Sequence, residues 1–458
     1  MINKHIAWAP HTTLNELDEN RIQIRSPRRQ LVTESLSSGQ RAAFDLLAGM
    51  GVPSATLMKS IEHEDVQARM RLVTYQHECI RLGLIEQVLV VDERPIAGAI
   101  SIADSYWPRD EKVPARPALS RFALLRPHEE HFVLESPLSL VQVHLYEPQC
   151  LAWLGTLLSD PSASNNPTLD KPSEQENAML QLLTNASLLT ERLADGRTQE
   201  EVDDTLQQWQ FHDLYFHSRS RDGRTPEAVG GTYRFRESIA PLPLLKPPMS
   251  DSIVTLPRPD LKRLATEDAS FTSVLEGRRS QRKRRHEPPT LAQLSEFLFR
   301  SARVQQKDEK GGVSWRPYPS GGACHELEIY VAVDECTGLK PDLYHYEPDG
   351  HQLGRLMVDS DALRRILIRA ASAQAVTEKP NLLLLITARF QRVSWKYSAL
   401  AYALTLKNVG GLMQTMYLVA TAMELAPCAI GTGDSDLFAR LTDIDVLQEG
   451  LVGEFTLR

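Results

Sequence analysis

Pro319-Ser320-Gly321-Gly322-Ala323, followed four residues later by Leu327-Glu328-Ile329-Tyr330-Val331-Ala332-Val333, is a glycine turn that runs into an alternating strand. Two glycines let a backbone approach a flat ligand and the serine adds a hydroxyl donor, although a lone turn of this kind is most often only a turn. Outward from it the pattern is α+β. Thr290 and Gln293 form a capping box that opens a helix through Phe299, and Leu382 to Ile386 is a continuous apolar strand. Lys396 to Leu425 reads as a long helical stretch, broken at most once. Its Gly410-Gly411 pair costs roughly 1 kcal/mol per glycine against alanine in an exposed helix, so either a close approach of another backbone or ligand, or an ordinary helix break, is expected there. Val409 to Met423 spans fifteen residues, short of the ~20 that a membrane crossing needs, and predicts a buried core helix.

The chain has 458 residues, 51 basic and 59 acidic, a net charge of −8. No broad pull toward nucleic acid or anionic membrane follows, so anion binding must be local. The densest charge is Arg278-Arg279-Ser280-Gln281-Arg282-Lys283-Arg284-Arg285, six basic residues of eight. Such a run is read as a solvated basic face, as a nucleic-acid or localisation patch, or as a phosphate grip in which guanidinium forks and the Ser280 hydroxyl surround one anion. Ser394-Trp395-Lys396-Tyr397 lies where the apolar strand meets the long helical stretch. Lysine beside tyrosine is usually surface chemistry, but a partly desolvated amine would drop toward neutrality and take a proton. Ile430-Gly431-Thr432-Gly433 again permits close backbone approach, and is no dinucleotide fingerprint because no GxGxxG opens a helix after a strand.

The first 200 residues carry a weak duplication. Leu31-Val32-Thr33-Glu34-Ser35 recurs as Phe132-Val133-Leu134-Glu135-Ser136, each after an Arg/Pro element and before a helical apolar pattern that ends at Leu84-Ile85-Glu86 or Leu188-Leu189-Thr190-Glu191. The order strand, helices, strand predicts two small winged-helix-like modules whose wing edge can accept a peptide strand; the alternative is an unrelated α+β domain. Residues 160–172, rich in Pro, Ser and Asn, are expected as a surface loop open to proteolysis. Six prolines from Pro241 to Pro259 predict an extended segment at a domain boundary. An apolar content of 42% excludes disorder and fibre. The amino terminus has no signal-like apolar run, and the five cysteines lack a CxxC, so a reduced cytoplasmic protein without disulfides or a cysteine zinc site is expected. His212, Asp213 and His217 are spaced wrongly for one helical face and predict a structural role, with no metal.

Taken in order, RRSxR (Arg278 to Arg282), PSGGAxHxLE (Pro319 to Glu328), Leu343-Tyr344-His345-Tyr346 and a helix with Gln414 before an Ile430-Gly431 turn resemble the flavin-dependent nitroreductase superfamily, over about Thr255 to Arg458. The Lys396-Tyr397 pair points, within it, to the thiazole/oxazole-forming peptide dehydrogenases, or azoline oxidases. Trp209 to Arg224 looks like the lead-in of that group, and the tandem amino-terminal modules resemble, more loosely, the peptide clamps of cyanobactin-type oxidases. The fold implied is a nitroreductase-like FMN-binding domain at 261–458 after two winged-helix-like clamp modules, 1–110 and 111–208, and a connecting segment, 209–260.

That resemblance implies FMN as hydride acceptor, with dioxygen reoxidising it, and Arg278, Arg279, Ser280 and Arg282 around its phosphate and ribityl chain. Pro319, Ser320, Gly321, Gly322, Gln414, Ile430 and Gly431 complete the cofactor site, and in the family this site lies between two subunits, so that PSGG residues serve the partner's flavin in a homodimer. Lys396 is implied as the base that takes the ring proton and Tyr397 as its orienting neighbour. The substrate implied is an azoline in a peptide or on a carrier protein, and cyclodehydratase or other pathway enzymes are the partners; neither nucleic acid nor membrane is expected. Two departures stand out: Asn408 replaces an acidic residue common in relatives, and Arg458 ends the chain, leaving its contact with phosphate in question. A general NAD(P)H-dependent nitroreductase or quinone reductase, and a non-catalytic subunit that holds a leader peptide, are the rival readings.

Overall fold

In the computed structural model of the chain, which describes residues 2–158, 172–284 and 287–458, Leu31-Val32 and Phe132–Glu135 each lie on a strand paired antiparallel with the strand before it. These fall into two compact units, Met1–Gly230 and Gly231–Arg458. Apart from Pro172, the segment 160–172 lies outside the described residues, as does Arg285 of the basic run.

In the first unit, β1 (Ile2–Trp8) precedes a small antiparallel sheet of β2 (Thr13–Asp18), β3 (Arg21–Arg25) and β4 (Gln30–Val32). Helices Ser38–Asp45, Ser54–Ser60 and Val66–Arg81 follow, then β5 (Ile85–Val91) and β6 (Arg94–Ser101). After β7 (Pro117–Leu119), the second copy contributes β8 (Leu124–His128), β9 (His131–Glu135) and β10 (Val141–Leu145), and helices Gln149–Leu158 and Glu174–Asn185 lead into β11 (Leu189–Glu191). Strands of both copies join one sheet, ordered β1-β5-β6-β10-β9-β8. Leu72 and Leu84 from the first copy share a single apolar core with Leu134, Val143 and Leu183 from the second.

The second unit opens its sheet with β12 (Ile253–Thr255). Helices Leu261–Glu267, Phe271–Gly277 and Leu291–Ala302 follow, the last with the expected capping box between Thr290 and Gln293. A hairpin of β13 (Gln306–Asp308) and β14 (Val313–Trp315) precedes β15 (Leu327–Val333), β16 (Asp342–Glu347) and β17 (Gln352–Arg355). Helix Ser360–Ala373, β18 (Leu382–Arg389), helices Gln391–Ser394 and Ala401–Ala422, β19 (Pro427–Ile430), helix Ser435–Thr442 and β20 (Glu449–Leu457) complete it. The sheet order is β12-β17-β16-β15-β18-β20-β19, antiparallel at every pairing.

Strand alternation sends successive side chains to opposite faces, and β18 is buried on both. Leu382, Leu384 and Ile386 pack with Leu294, Leu412 and Met416 of the helices on one face. Leu383 and Leu385 pack with Leu363, Ile366 and Phe438 on the other. The helix Ala401–Ala422 runs unbroken through Gly410-Gly411. A Cβ on Gly411 would lie 3.1 Å from Pro319 Cγ, so the second glycine answers a close approach and no helix break occurs; Gly410 faces open space. The same helix starts at Ala401 rather than at Lys396, because Ala399 adopts φ 63°, a left-handed conformation that ends helical propagation. Arg458 is fully buried, its guanidinium donating to the Gln374 side chain at 2.8 Å and the Glu378 carbonyl at 2.9 Å, a structural engagement that turns it away from solvent.

A buried acid in the first unit offers a test of the sheet. Glu86 on β5 accepts from the Tyr146 hydroxyl, and a Cβ on Gly98 would fall 1.8 Å from its Oε1. Burial outweighs the Tyr146 bond and pushes its carboxyl from 4.5 up to about 7. A raised folded value means that the stability Glu86 contributes is complete below pH 4.5 and is lost as pH rises through about 7. Glu86→Gln should therefore gain in thermal midpoint relative to wild type as pH is raised from about 5 to 8; a difference independent of pH would mean that the carboxyl titrates normally.

Candidate active site

Beyond β18 the chain makes one short helix and a turn before the long helix, and that turn carries Lys396 and Tyr397. The Lys396 ammonium donates to the Gly322 carbonyl at 3.1 Å. Gly322 itself sits at φ 61°, and a Cβ there would lie 2.3 Å from the Tyr397 hydroxyl and 2.8 Å from Lys396 Nζ. Glycine is thus required twice, for the left-handed backbone and for the space. The PSGG turn and the Lys-Tyr pair, 74 residues apart in sequence, form one cluster.

Asn408 fixes the turn from below. Its side-chain oxygen accepts from the Gly321 amide at 3.0 Å, while its nitrogen donates to Glu326 Oε1 at 2.9 Å and Ser320 Oγ at 3.2 Å. Asn408 is 5% exposed and Glu326 0%. An ionised aspartate could accept from Gly321 but could not donate to the buried Glu326 carboxylate, which gives a physical reason for an amide at 408. Ser320 is used inside the turn, donating to Glu326 Oε2 at 3.3 Å and accepting from the His325 amide at 2.9 Å.

Arg392, four residues before Lys396, ties the surrounding walls together. Its guanidinium donates to the carbonyls of Leu242 at 3.0 Å, Gly312 at 2.9 Å and Cys324 at 2.9 Å. These belong to three separate segments: the Pro-rich strap at 233–246, the β13–β14 hairpin loop, and the end of the PSGG turn. Trp395 Nε1 donates to the Ile239 carbonyl at 2.6 Å, Arg389 to the Pro243 carbonyl at 2.9 Å, and the Tyr233 amide to the Lys396 carbonyl at 3.2 Å. The strap is therefore a wall of the second unit. Between these walls lies a cleft of about 640 Å³ reached by Lys396, Gly322, Tyr233 and Trp395. Burial draws the Arg392 guanidinium below its ordinary value and pushes the Cys324 thiol up, the latter opposed by Lys396 and Arg392. Burial, with Arg316 and Arg392 nearby, lowers His325 to about 3, so it is neutral near pH 7.

The basic run lies elsewhere. Arg278 follows the helix Phe271–Gly277 with its guanidinium 5.3 Å from the Tyr417 ring, and Ser280 Oγ is 2.7 Å from the Tyr417 hydroxyl. The Gln281 amide donates to the Pro427 carbonyl at 2.7 Å, which brings the run beside β19. Arg284 is taken up by Glu335 and Asp334, whereas no carboxylate among the described residues pairs with Arg278, Arg279 or Arg282. Ile430 is buried in β19, and Gly431 and Gln414 are exposed. PSGG packs along Leu404 to Gly411 and the basic run near Tyr417, six to thirteen helical residues apart, a rise of roughly 9–20 Å. The structure brings Lys396, Tyr397 and PSGG together and leaves Arg278, Arg279, Ser280 and Arg282 at the far end of the helix. Tyr233 and Arg392 are cleft residues that no local pattern in the sequence singles out. Among the described residues no group of His, Cys, Asp or Glu is arranged to hold a metal, and no helix is long and apolar enough to cross a membrane. His217 packs its ring on Trp209 at 5.4 Å.

Residues 275–457 match the Nitroreductase family, and residues 117–226 match the Cyanobactin oxidase ThcOx. A Methanocaldococcus jannaschii protein named as a nitroreductase, MJ1384, is 31% identical over 173 residues, 38% of this chain and 81% of its own length. The chain belongs to the nitroreductase family. Two further relatives are named as processing proteins of trifolitoxin and microcin B17. The trifolitoxin-processing protein TfxB of Rhizobium leguminosarum bv. trifolii is 33% identical over 81 residues, 17% of this chain and 22% of TfxB. The microcin B17-processing protein McbC of Escherichia coli is 30% identical over 115 residues, 24% of this chain and 42% of McbC. The chain thus spans less than half the length of these two relatives.

Arg392→Met would strand three carbonyl groups, at about 1–3 kcal/mol for each left unsatisfied. Amide exchange in the full chain should then accelerate around residues 239–243 and 310–313. Unchanged protection there would mean that the strap and hairpin are held by other contacts.

Proposed function

We propose that the chain is an FMN-dependent dehydrogenase that oxidises thiazoline or oxazoline rings of a modified peptide to the aromatic azoles. The observation that carries this reading is the Lys396–Gly322–Tyr397 cluster at the cleft, with the ammonium held at 3.1 Å from a carbonyl and an aromatic wall of Tyr233 and Trp395 beside it. The ring carbon next to the carbonyl carries the acidic hydrogen. In the unprotonated form, the Lys396 amine takes that proton, and the Tyr397 hydroxyl, next to Gly322, orients the ring.

The donor set fits a flavin phosphate. Among the described residues Arg278, Arg279 and Arg282 have no carboxylate partner and Ser280 lies beside them, while Gly431 has nothing within 4 Å of where a side chain would begin. FMN, when bound, supplies the hydride acceptor. A site assembled from two copies, with PSGG of one serving the flavin gripped by the other, is the arrangement that the family resemblance implies. For the first unit, the three-stranded β2-β3-β4 sheet, whose β2 is exposed at every residue, supports a winged-helix-like clamp for the peptide substrate. Cyclodehydratase or other enzymes of the same pathway are the partners this reading implies.

Lys396→Ala should keep visible flavin absorbance while azole formation, read by mass spectrometry as loss of two hydrogens, falls by about 10²–10⁴-fold. Wild-type turnover in that variant would sink the base assignment. Arg278→Ala combined with Arg282→Ala should instead release the flavin, and an unchanged bound spectrum would count against the phosphate grip.

A further inference from the structure

The cleft beside Lys396 is unevenly charged. Its ionisable lining groups include Arg236, Glu309, Lys310, Arg392 and Lys396, four cations to one carboxylate. Most of them are already engaged. Arg392 is consumed by three carbonyls, Lys396 donates to Gly322, and Glu309 is paired with Lys307 at 3.2 Å. Arg236 on the strap and Lys310 in the β13–β14 loop are left. Both are exposed, and no carboxylate among the described residues lies within ion-pair distance of either.

The bland account is two solvated surface cations. Against it, the two come from different segments that Arg392 binds into one wall system, and both line the same cleft as the ring-sized aromatic pair, Tyr233 and Trp395, 5.8 Å apart. An uncharged ring makes no use of a paired cationic rim, whereas a carboxylate gains charge-assisted hydrogen bonds from both members, with a forked geometry from the arginine.

Resting on the azoline-oxidase reading, we infer that the cleft selects a peptide whose azoline is flanked by a carboxylate, an acidic side chain or the free carboxyl terminus, and that Arg236 and Lys310 are the specificity-determining residues that hold it. The carboxylate does not react. Its contribution is the same before and during chemistry, so it acts on KM and leaves kcat largely alone.

The test uses the full-length FMN-loaded protein and matched azoline peptides with Glu, Gln or Lys beside the ring, the Gln peptide also made with a free or an amidated carboxyl terminus. The Glu peptide should exceed the amidated Gln peptide by about tenfold in kcat/KM, almost all of it in KM, with the Lys peptide the poorest. The advantage should shrink at high salt, as expected for exposed charges. A gain from the free terminus would assign the site to the chain end, and a gain from Glu to a side chain. Arg236→Glu with Lys310→Glu should invert the order in favour of the Lys peptide, a result that general damage to the fold cannot mimic. Equal KM for all peptides on the wild-type protein would overturn the inference while leaving the oxidase reading intact. No turnover of any azoline peptide by flavin-loaded protein would remove the oxidase reading, and the inference with it.

Discussion

A guanidinium taken out of water is tolerated only where its donors find acceptors, and that requirement organises the catalytic half of this chain. Arg392 is 8% exposed and places both terminal nitrogens on carbonyls from the strap, the hairpin loop and the PSGG turn, although its Nε finds no acceptor among the described residues. None of these segments is a regular element packed into the sheet on its own account. Each takes one of its anchors from the arginine, which lies on the short helix that leads to Lys396. The ammonium and the walls around it are consequently registered to one another, and a shift in any wall is felt at the amine. Lys246 adds a second attachment at the end of the strap, bonding Tyr330 at 2.6 Å and Glu449 at 2.5 Å inside the sheet.

The long helix Ala401–Ala422 does different work. Its buried face anchors the sheet through Leu412 and Met416, and its two ends serve two sets of residues, Asn408 and Leu404 toward PSGG and Tyr417 toward the basic run. A straight rod of this length keeps the two sets apart in one chain. PSGG lies along the first half of this helix and RRSxR toward its carboxyl end. Gly411, midway along the helix, shows how closely PSGG is fitted, since Pro319 occupies the space a side chain would need.

Much of this was legible in the sequence where local rules decide. The capping box at Thr290, the strands from Leu327 and Leu382, and the buried helix around Val409 follow from cap chemistry and periodicity, which act over a few residues. The start of the long helix was misread because Lys396 to Leu400 has helical composition, and only the left-handed Ala399, held by its surroundings, interrupts it. Lys396 and Gly322 were each visible as candidates, yet their contact spans 74 residues and has no trace in spacing. Asn408 looked like a departure from a pattern, and its meaning came from the buried Glu326 carboxylate it faces. Arg392 and Tyr233 left no signal at all, since an arginine before a tryptophan-lysine pair and a tyrosine after two glycines fit many surfaces.

Between Tyr233 and Lys246 the strap is gripped by its peptide groups: Ile239, Leu242 and Pro243 each offer a carbonyl to a side chain from below. Attachment by backbone is indifferent to which side chains the strap carries. Residues there that look into the cleft can be exchanged one at a time while the path of the segment is conserved, so a lineage could retarget its substrate by drift along a dozen positions without rebuilding the scaffold beneath them. Divergence among relatives should then concentrate in the strap, while the arginine, tryptophan and lysine that hold it stay put.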